Sequence, residues 1–236
     1  YMNKKVSIIL CTYNEVDYVE NTIKLIHETL QNVEIIIVDD NSNDGTIEKI
    51  NSLKSKFKFN LIVRKNERGL ASAQKKGFEV STGDYVGTID INSPDQILIF
   101  PKLIQKLNNG HDLACLSRYI EGGGDKRIFI RSFSSWLINF VGRLFLRIPF
   151  NDFTSGIFLM KREHLKILFK VISGYSEWFI EFIYILHKNN LKLSEVSYVQ
   201  NKDAHEIDSK SYPNIFIFIY LGSQYFFRIL ITLFRN

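Results

Sequence analysis

Two short, uninterrupted apolar runs, Val6 to Leu10 (VSIIL) and Val33 to Val38 (VEIIIV), mark the N-terminal half of the chain. Both are too short for helices and rich in β-branched residues, the pattern of strands covered on both faces. Between them Val19, Ile23, Ile26 and Leu30 recur at helical spacing. A connection of that length suits a crossover helix, so the segment predicts a βαβ unit with parallel strands. The alternation continues with a helix near Thr46 to Ser55, a strand near Phe59 to Arg64, a helix near Leu70 to Val80 and a strand near Tyr85 to Asp90. The less regular second half predicts a strand near Leu113 to Ser117, a glycine-rich loop at Gly122 to Gly124 and a long basic, apolar helix from Phe133 to Leu146.

The tail differs in kind. From Ile215 to Phe234 only Arg228 carries a charge, and the run approaches the roughly 20 residues that a spanning helix needs. Gln224, Arg228 and Thr232 recur every fourth residue and place a narrow polar stripe on one face. A membrane-interfacial or partner-packed helix explains that stripe better than a lone span; docking on the domain's own core is the other reading. The expected division is a domain over residues 2–212 and an apolar C-terminal helix over residues 213–236.

Composition narrows this only slightly. With 236 residues, 45% hydrophobic and 23% charged, the chain is expected to form one α/β domain. Thirty Lys plus Arg against 25 Asp plus Glu give a net charge of +5, which suits nucleic acid, anionic lipid or phosphorylated substrates equally. Cys11 and Cys115 lie inside apolar runs without metal-binding spacing and read as reduced core residues. The first apolar run is too short for a signal peptide, which predicts a body facing the cytoplasm.

Candidate chemistry sits at strand ends. Asp39 and Asp40 follow the second buried strand in VDDNSNDGT, and open α/β sheets bind ligands outside the carboxyl ends of their strands. Adjacent carboxylates are costly unless a cation, a base edge or backbone donors occupy the site. Asp44 reads equally well as the cap of the helix that follows. The fourth strand also runs into acid, at Asp90, and Asp90 with Asn92 supplies oxygens suited to Mg2+ or Mn2+.

The stretches ILCTYNE (Ile9 to Glu15), VDDNSNDGT, NERGLASAQKKGFEVSTGDYV (Asn66 to Val86) and the strand-end Asp90 together resemble family 2 glycosyltransferases of the GT-A fold. Downstream, SRYIEGGG (Ser117 to Gly124), Arg131 leading a helix, DFTSGIFLMKRE (Asp152 to Glu163) and Ser209-Lys210 are similar to the branch of dolichyl-phosphate mannose synthases. The resemblance spans about residues 5–212. It implies a Rossmann-like, mostly parallel mixed sheet flanked by helices; the membrane-associated C-terminal helix is the expectation from the apolar tail. Thr12, Tyr13, Glu15 and Asp39 match positions that hold the nucleotide, Asp40 lies near ribose or diphosphate, and Asp90 serves both donor and metal. The implied metal triplet reads Asp90-Ile91-Asn92, with Pro94 where many members carry a ligating Gln. An amide oxygen ligates without contributing charge, and Asp95 is the nearby candidate to compensate.

Acceptor-phosphate positions carry over to Arg118, Arg131, Ser135 and Lys210, so Asp90, Arg118 and Arg131 are the residues expected to support transfer. Guanidinium forks suit phosphate oxygens. A polyprenyl monophosphate is already an anionic nucleophile, so the implied reaction is an inverting transfer of a hexose from GDP-mannose or UDP-glucose without a protein base, at the cytoplasmic face of a membrane. Two alternatives stay open: a saccharide acceptor, disfavoured because no Glu/Asp-Asp motif occurs at Phe150 to Gly156, and a non-catalytic nucleotide- or lipid-binding subunit, motivated by Asn92 and Pro94. Nucleic acid is not an expected partner, because the basic residues from Lys126 to Arg147 interleave with aromatics and no nucleic-acid-binding motif appears.

Overall fold

The computed structural model describes residues 4–202 and 215–235. Within the first half the elements fall close to expectation: β1 (Val6–Thr12), α1 (Val19–Thr29), β2 (Val33–Asp39), α2 (Thr46–Leu53), β3 (Asn60–Val63), α3 (Leu70–Val80) and β4 (Tyr85–Thr88). A 3-10 turn at Pro94–Ile99 leads into α4 (Phe100–Asn108), followed by β5 (Leu113–Ser117), β6 (Gly124–Asp125) and α5 (Phe129–Leu146). Then come β7 (Phe158–Lys161), α6 (Leu165–Val171), α7 (Trp178–Lys188), β8 (Leu193–Ser197), β9 (Val199–Gln200) and α8 (Ile215–Arg235).

Seven strands form one sheet in the order β3-β2-β1-β4-β7-β5-β8. β7 pairs antiparallel with both β4 and β5, and every other pairing in the sheet is parallel. This arrangement positions the site. The carboxyl ends of the parallel strands and the amino end of β7 share one edge, which gathers Thr12, Asp39, Asp90, Arg118 and Asp152 together. At the β4–β7 seam Gly87 is required, because a Cβ there would lie 1.8 Å from the Phe158 carbonyl oxygen. β4 ends at Thr88, two residues before the expected boundary, where its β7 partner also begins at Phe158.

Alternation along β1 splits the core between the two faces of the sheet. Ile8 and Leu10 pack with Val19, Ile23 and Phe100 on one face, while Ile9 packs with Phe78, Phe158 and Phe182 on the other. Cys115 is buried and Cys11 half-buried; both are free, and burial pushes both thiols above their ordinary pKa.

Two helices depart from expectation. α5 starts at Phe129 rather than Phe133, with the Arg131 and Ser132 amides donating to the Ile128 carbonyl. This puts Arg131 in the first turn. α8 packs against α5 and α7, and its polar stripe faces inward: Arg228 and Thr232 are buried. Its apolar face turns outward through Phe216, Ile219, Tyr220, Phe227, Leu230 and Phe234. The helix therefore docks on the domain and still meets the length and composition of a membrane span over Phe216–Arg235.

Candidate active site

On the side expected to hold the donor, Asp39 is fully buried at the end of β2. Its carboxylate accepts hydrogen bonds from the Thr12 hydroxyl at 2.6 Å, the Ser42 amide at 2.8 Å and the Ser42 hydroxyl at 2.7 Å. The loops after β1 and β2 are stitched together by the Asn14 amide donating to Ser42 Oγ (2.8 Å) and the Asn43 amide donating to Asn14 Oδ1 (3.0 Å). Asn14 holds a left-handed φ of 57° there, a conformation Asn tolerates better than most residues. Glu15 is held through its backbone, which donates to Thr46 Oγ1 at 2.8 Å. Gly45, not Asp44, caps α2; Asp44 makes a turn instead, its carboxylate accepting from the Thr46 amide two residues on at 3.0 Å. The Tyr13 ring lies beneath the Arg68 guanidinium at 3.6 Å, a cation–π contact.

Asp40 is the surprise on this side. Its two oxygens are engaged by Arg64 Nε at 2.7 Å and by the Gly69 amide at 2.8 Å. Arg64 itself is buried and also donates to Ser72 Oγ and the Gly69 carbonyl. Asp40 thus ties the end of β2 to the start of α3. Arg64 was read only as the end of a strand; a buried carboxylate pair at adjacent positions demands a cationic partner, and that demand was the available signal.

Asp90 and Asn92 are exposed in the turn that leaves β4, where the Ser93 amide donates to the Asp90 carbonyl at 3.2 Å. Pro94 opens the 3-10 turn, so no side chain reaches back from that position. The charge of Asp90 acts on Cys11 and on Tyr198, whose phenol is pushed up mainly by burial and also feels Arg118, Asp152 and Arg127.

The cationic half of the site is built on Arg118 and Asp152. Arg118 Nε and Nη2 grip the two Asp152 oxygens at 2.8 and 2.7 Å, the Arg118 amide adds a bond of 2.9 Å, and both residues are buried. Burial raises the Asp152 carboxyl, but the Arg118 charge and hydrogen bonds outweigh it and hold the group below its ordinary pKa. Nη2 also donates to Thr154 Oγ1 (2.6 Å), which lies 2.8 Å from Ser135 Oγ, and the Asn139 amide closes the ring on Thr154 at 2.9 Å. The remaining Arg118 nitrogen, Nη1, reaches Asp125 at 3.4 Å, and Arg127 Nε binds the same carboxylate at 2.8 Å.

In front of this network lies a cleft of about 90 Å³. One wall carries Arg118, Arg127, Arg131, Ser135 and Thr154; the other is α8, through Phe218, Gly222 and Tyr225. Three of the four residues expected at an acceptor phosphate, Arg118, Arg131 and Ser135, thus share one cavity. The fourth, Lys210, lies outside the described residues. Asp125, Asp152 and Thr154 were missed as partners, although the buried Arg118 required a carboxylate and DFTSG stood in the sequence.

A group of metal-binding character, Asp112, Glu163 and His164, lies elsewhere. These residues flank the amino end of β5 and the carboxyl end of β7, the opposite edge of the sheet. Asp112 there already pairs with Lys161 at 2.9 Å and accepts from the Lys192 amide at 2.8 Å, so this is a structural network remote from Asp90.

Comparison with known proteins agrees with this geometry. The model of the family "Glycosyl transferase family 2" matches residues 7–169. The dolichol-phosphate mannosyltransferase of Pyrococcus furiosus is 39% identical over 164 residues, covering 67% of this chain and 47% of that protein. The dolichol-phosphate mannosyltransferase of Saccharomyces cerevisiae is 33% identical over 143 residues, covering 59% of this chain and 52% of its own length. The chain thus spans about half the length of these curated relatives. Among solved structures, glucosyl-3-phosphoglycerate synthase from Mycobacterium tuberculosis superposes with a TM-score of 0.73 over 98% of this chain and 80% of its own, at 16% identity, a likeness of fold. Seven-stranded mixed sheet, strand-end carboxylates and family match agree, and the chain belongs to glycosyl transferase family 2 with the GT-A fold.

Proposed function

We propose that this chain transfers a hexose, with inversion, from a nucleotide-sugar such as GDP-mannose or UDP-glucose to a polyprenyl phosphate at the cytoplasmic face of a membrane. The observation that carries this reading is the cleft itself, with a cationic, hydroxyl-rich wall on one side and the aromatic face of an apolar helix on the other. That pairing suits an amphiphile with a phosphate head. The relatives named for transfer to dolichol phosphate support it, and the outward apolar faces of α5 and α8 support contact with a bilayer.

In this reading Asp39, fixed by Thr12 and Ser42, receives the donor nucleotide together with Tyr13 and Glu15. Asp40 acts through Arg64, holding the α3 entrance in place beside it. Asp90 and Asn92 offer hard oxygens on an exposed turn, the donor chemistry that Mg2+ and Mn2+ take. Asp90 and Asn92 would hold such a cation, which would supply charge neutralisation to the departing diphosphate. The neighbour from M. tuberculosis was solved with Mn2+ and UDP.

Arg131 and Ser135, one helical turn apart on α5, face the acceptor phosphate. Arg118 is oriented by Asp152 and Thr154, so its charge is presented without rearrangement, the condition under which such groups act most strongly. A phosphate oxygen attacks the anomeric carbon; the new C–O bond forms as the bond to the diphosphate breaks, and its electron pair leaves with the nucleotide. The nucleophile carries no proton to remove, so the protein contributes position and charge rather than a base.

The test is transfer of labelled sugar from GDP-mannose, UDP-glucose and UDP-N-acetylglucosamine to undecaprenyl or dolichyl phosphate, beside free oligosaccharides as acceptors. A labelled lipid with one donor is the expected result. Label appearing only in oligosaccharide would overturn the acceptor assignment.

A further inference from the structure

α8 contributes Phe218, Gly222 and Tyr225 to the cleft, a spacing of four and three that places all of them on one face of the helix. Gly222 has no structural reason to be glycine. It is not among the residues with positive φ, and a Cβ built on it meets no atom of the described residues within 4 Å. Glycine is among the poorest helix formers, and alanine would fit. What its missing side chain leaves is open space in the cleft wall, about one helical turn from Phe218 and from Tyr225.

The register of that wall is fixed from the other side of the helix. Arg228, buried, donates from Nη1 to Glu181 at 2.9 Å, and from Nη2 to Ser173 Oγ at 2.9 Å and to Glu177 at 3.3 Å. Glu181 is fully buried on α7. An apolar helix packed on apolar helices has few directional contacts, and a single buried polar group is the device that selects one register. A slip of one residue would rotate Gly222 out of the cleft by about 100°.

We infer that Gly222 is the slot through which the hydrocarbon chain of a linear prenyl or alkyl phosphate leaves the cleft, and that Arg228 is the positioning residue that holds the slot in register. The inference rests on the reading of a lipid-phosphate acceptor and adds the residue that discriminates it: the phosphate stays with Arg131 and Ser135, and the first carbons pass between Phe218 and Tyr225. A sugar phosphate has no hydrocarbon chain to pass through this gap.

The experiment measures farnesyl phosphate binding by calorimetry below its micelle concentration. It uses the full chain as wild type, Gly222→Ala, Gly222→Leu, Arg228→Met and Arg228→Lys, with inorganic phosphate and GDP or UDP as comparators. Gly222→Leu should weaken farnesyl phosphate at least tenfold while inorganic phosphate and nucleotide binding stay unchanged; Gly222→Ala should fall between. Arg228→Met should reproduce the loss, and Arg228→Lys should recover part of it, which a purely structural defect would not do selectively for the prenyl ligand. Unchanged farnesyl phosphate affinity in Gly222→Leu, or no binding by the wild type, overturns the inference. Should Arg228→Met fail to fold, Gly222→Leu still decides, because it adds a helix-favouring residue into open space. Transfer assays separate this from the parent reading: Gly222-dependent binding without any glycolipid product sinks the proposed reaction and keeps the slot, whereas glycolipid formation with an unaltered acceptor KM in Gly222→Leu does the reverse.

Discussion

Arg118 and Asp152 form a buried, two-point ion pair, Nε and Nη2 against the two carboxylate oxygens at 2.8 and 2.7 Å, at the base of the cationic cleft. The pair spans β5 and the segment before β7, so it joins the half of the sheet that bears the cleft. Its partners Thr154, Ser135 and Asn139 extend the same network to α5.

Removing one member of this pair leaves the other buried and uncompensated. Asp152→Asn is expected to cost about 3–5 kcal/mol in chemical denaturation, while the double change Asp152→Leu with Arg118→Met costs less than the sum of the single changes. Additive losses would show that the two side chains are not coupled.

Arg64 performs the equivalent service for Asp40. Arg64→Met strands that carboxylate and detaches it from the α3 entrance, so a loss of about 3 kcal/mol or more is expected. Donor affinity should fall with it, because the Asp39 loop adjoins Asp40. Retained stability with lost donor binding would instead mark Arg64 as a direct ligand.

Glu34 supplies a pH dependence. Burial raises its carboxyl, but hydrogen bonds from Ser7, Thr82 and Lys5 overcome this and bring it from 4.5 to about 2. A depressed folded pKa stabilises above the unfolded value, so the contribution is complete above pH 4.5 and disappears as the pH falls towards 2. Glu34→Gln should lower stability at pH 7 by about 1–3 kcal/mol and flatten the acid limb of the stability curve between those values. An unchanged acid limb would exclude Glu34 as its source.

The outer face of α5 carries a continuous aromatic ladder. Phe129, Phe133, Trp136 and Phe140 stack with centroid spacings of 5.6, 5.8 and 5.6 Å, and Trp136 is 44% exposed. Replacing Trp136 and Phe140 by Ser should reduce partitioning onto anionic vesicles by about tenfold per ring without lowering the melting temperature. Equal partitioning would assign the ladder to a different partner.

Strands and site differed in how far the chain disclosed them. β1, β2, β5 and α3 followed from uninterrupted apolar runs and helical spacing, because a sheet covered on both faces leaves that record in sequence. The positions of Asp39 at the end of β2 and of Asp90 just beyond β4 followed from the apolar runs that precede them. The bonds to Asp40 and Asp152 did not, since Arg64 and Arg118 meet their carboxylates through packing across 24 and 34 residues of chain. The stripe of Gln224, Arg228 and Thr232 was visible, yet periodicity gives a face and not its direction. Glu181 on α7, Glu177 just before it and Ser173, all partners of Arg228, turn it inward.

The most direct measurement is formation of labelled glycolipid from nucleotide-sugar and polyprenyl phosphate, with Mg2+ or Mn2+ and with chelator, for the wild type, Asp90→Ala and Arg131→Ala. The expected result is a chelator-sensitive product that falls by at least 100-fold, about 2.7 kcal/mol, in either variant, while both proteins remain folded. Product formation that survives chelator and both substitutions would contradict it.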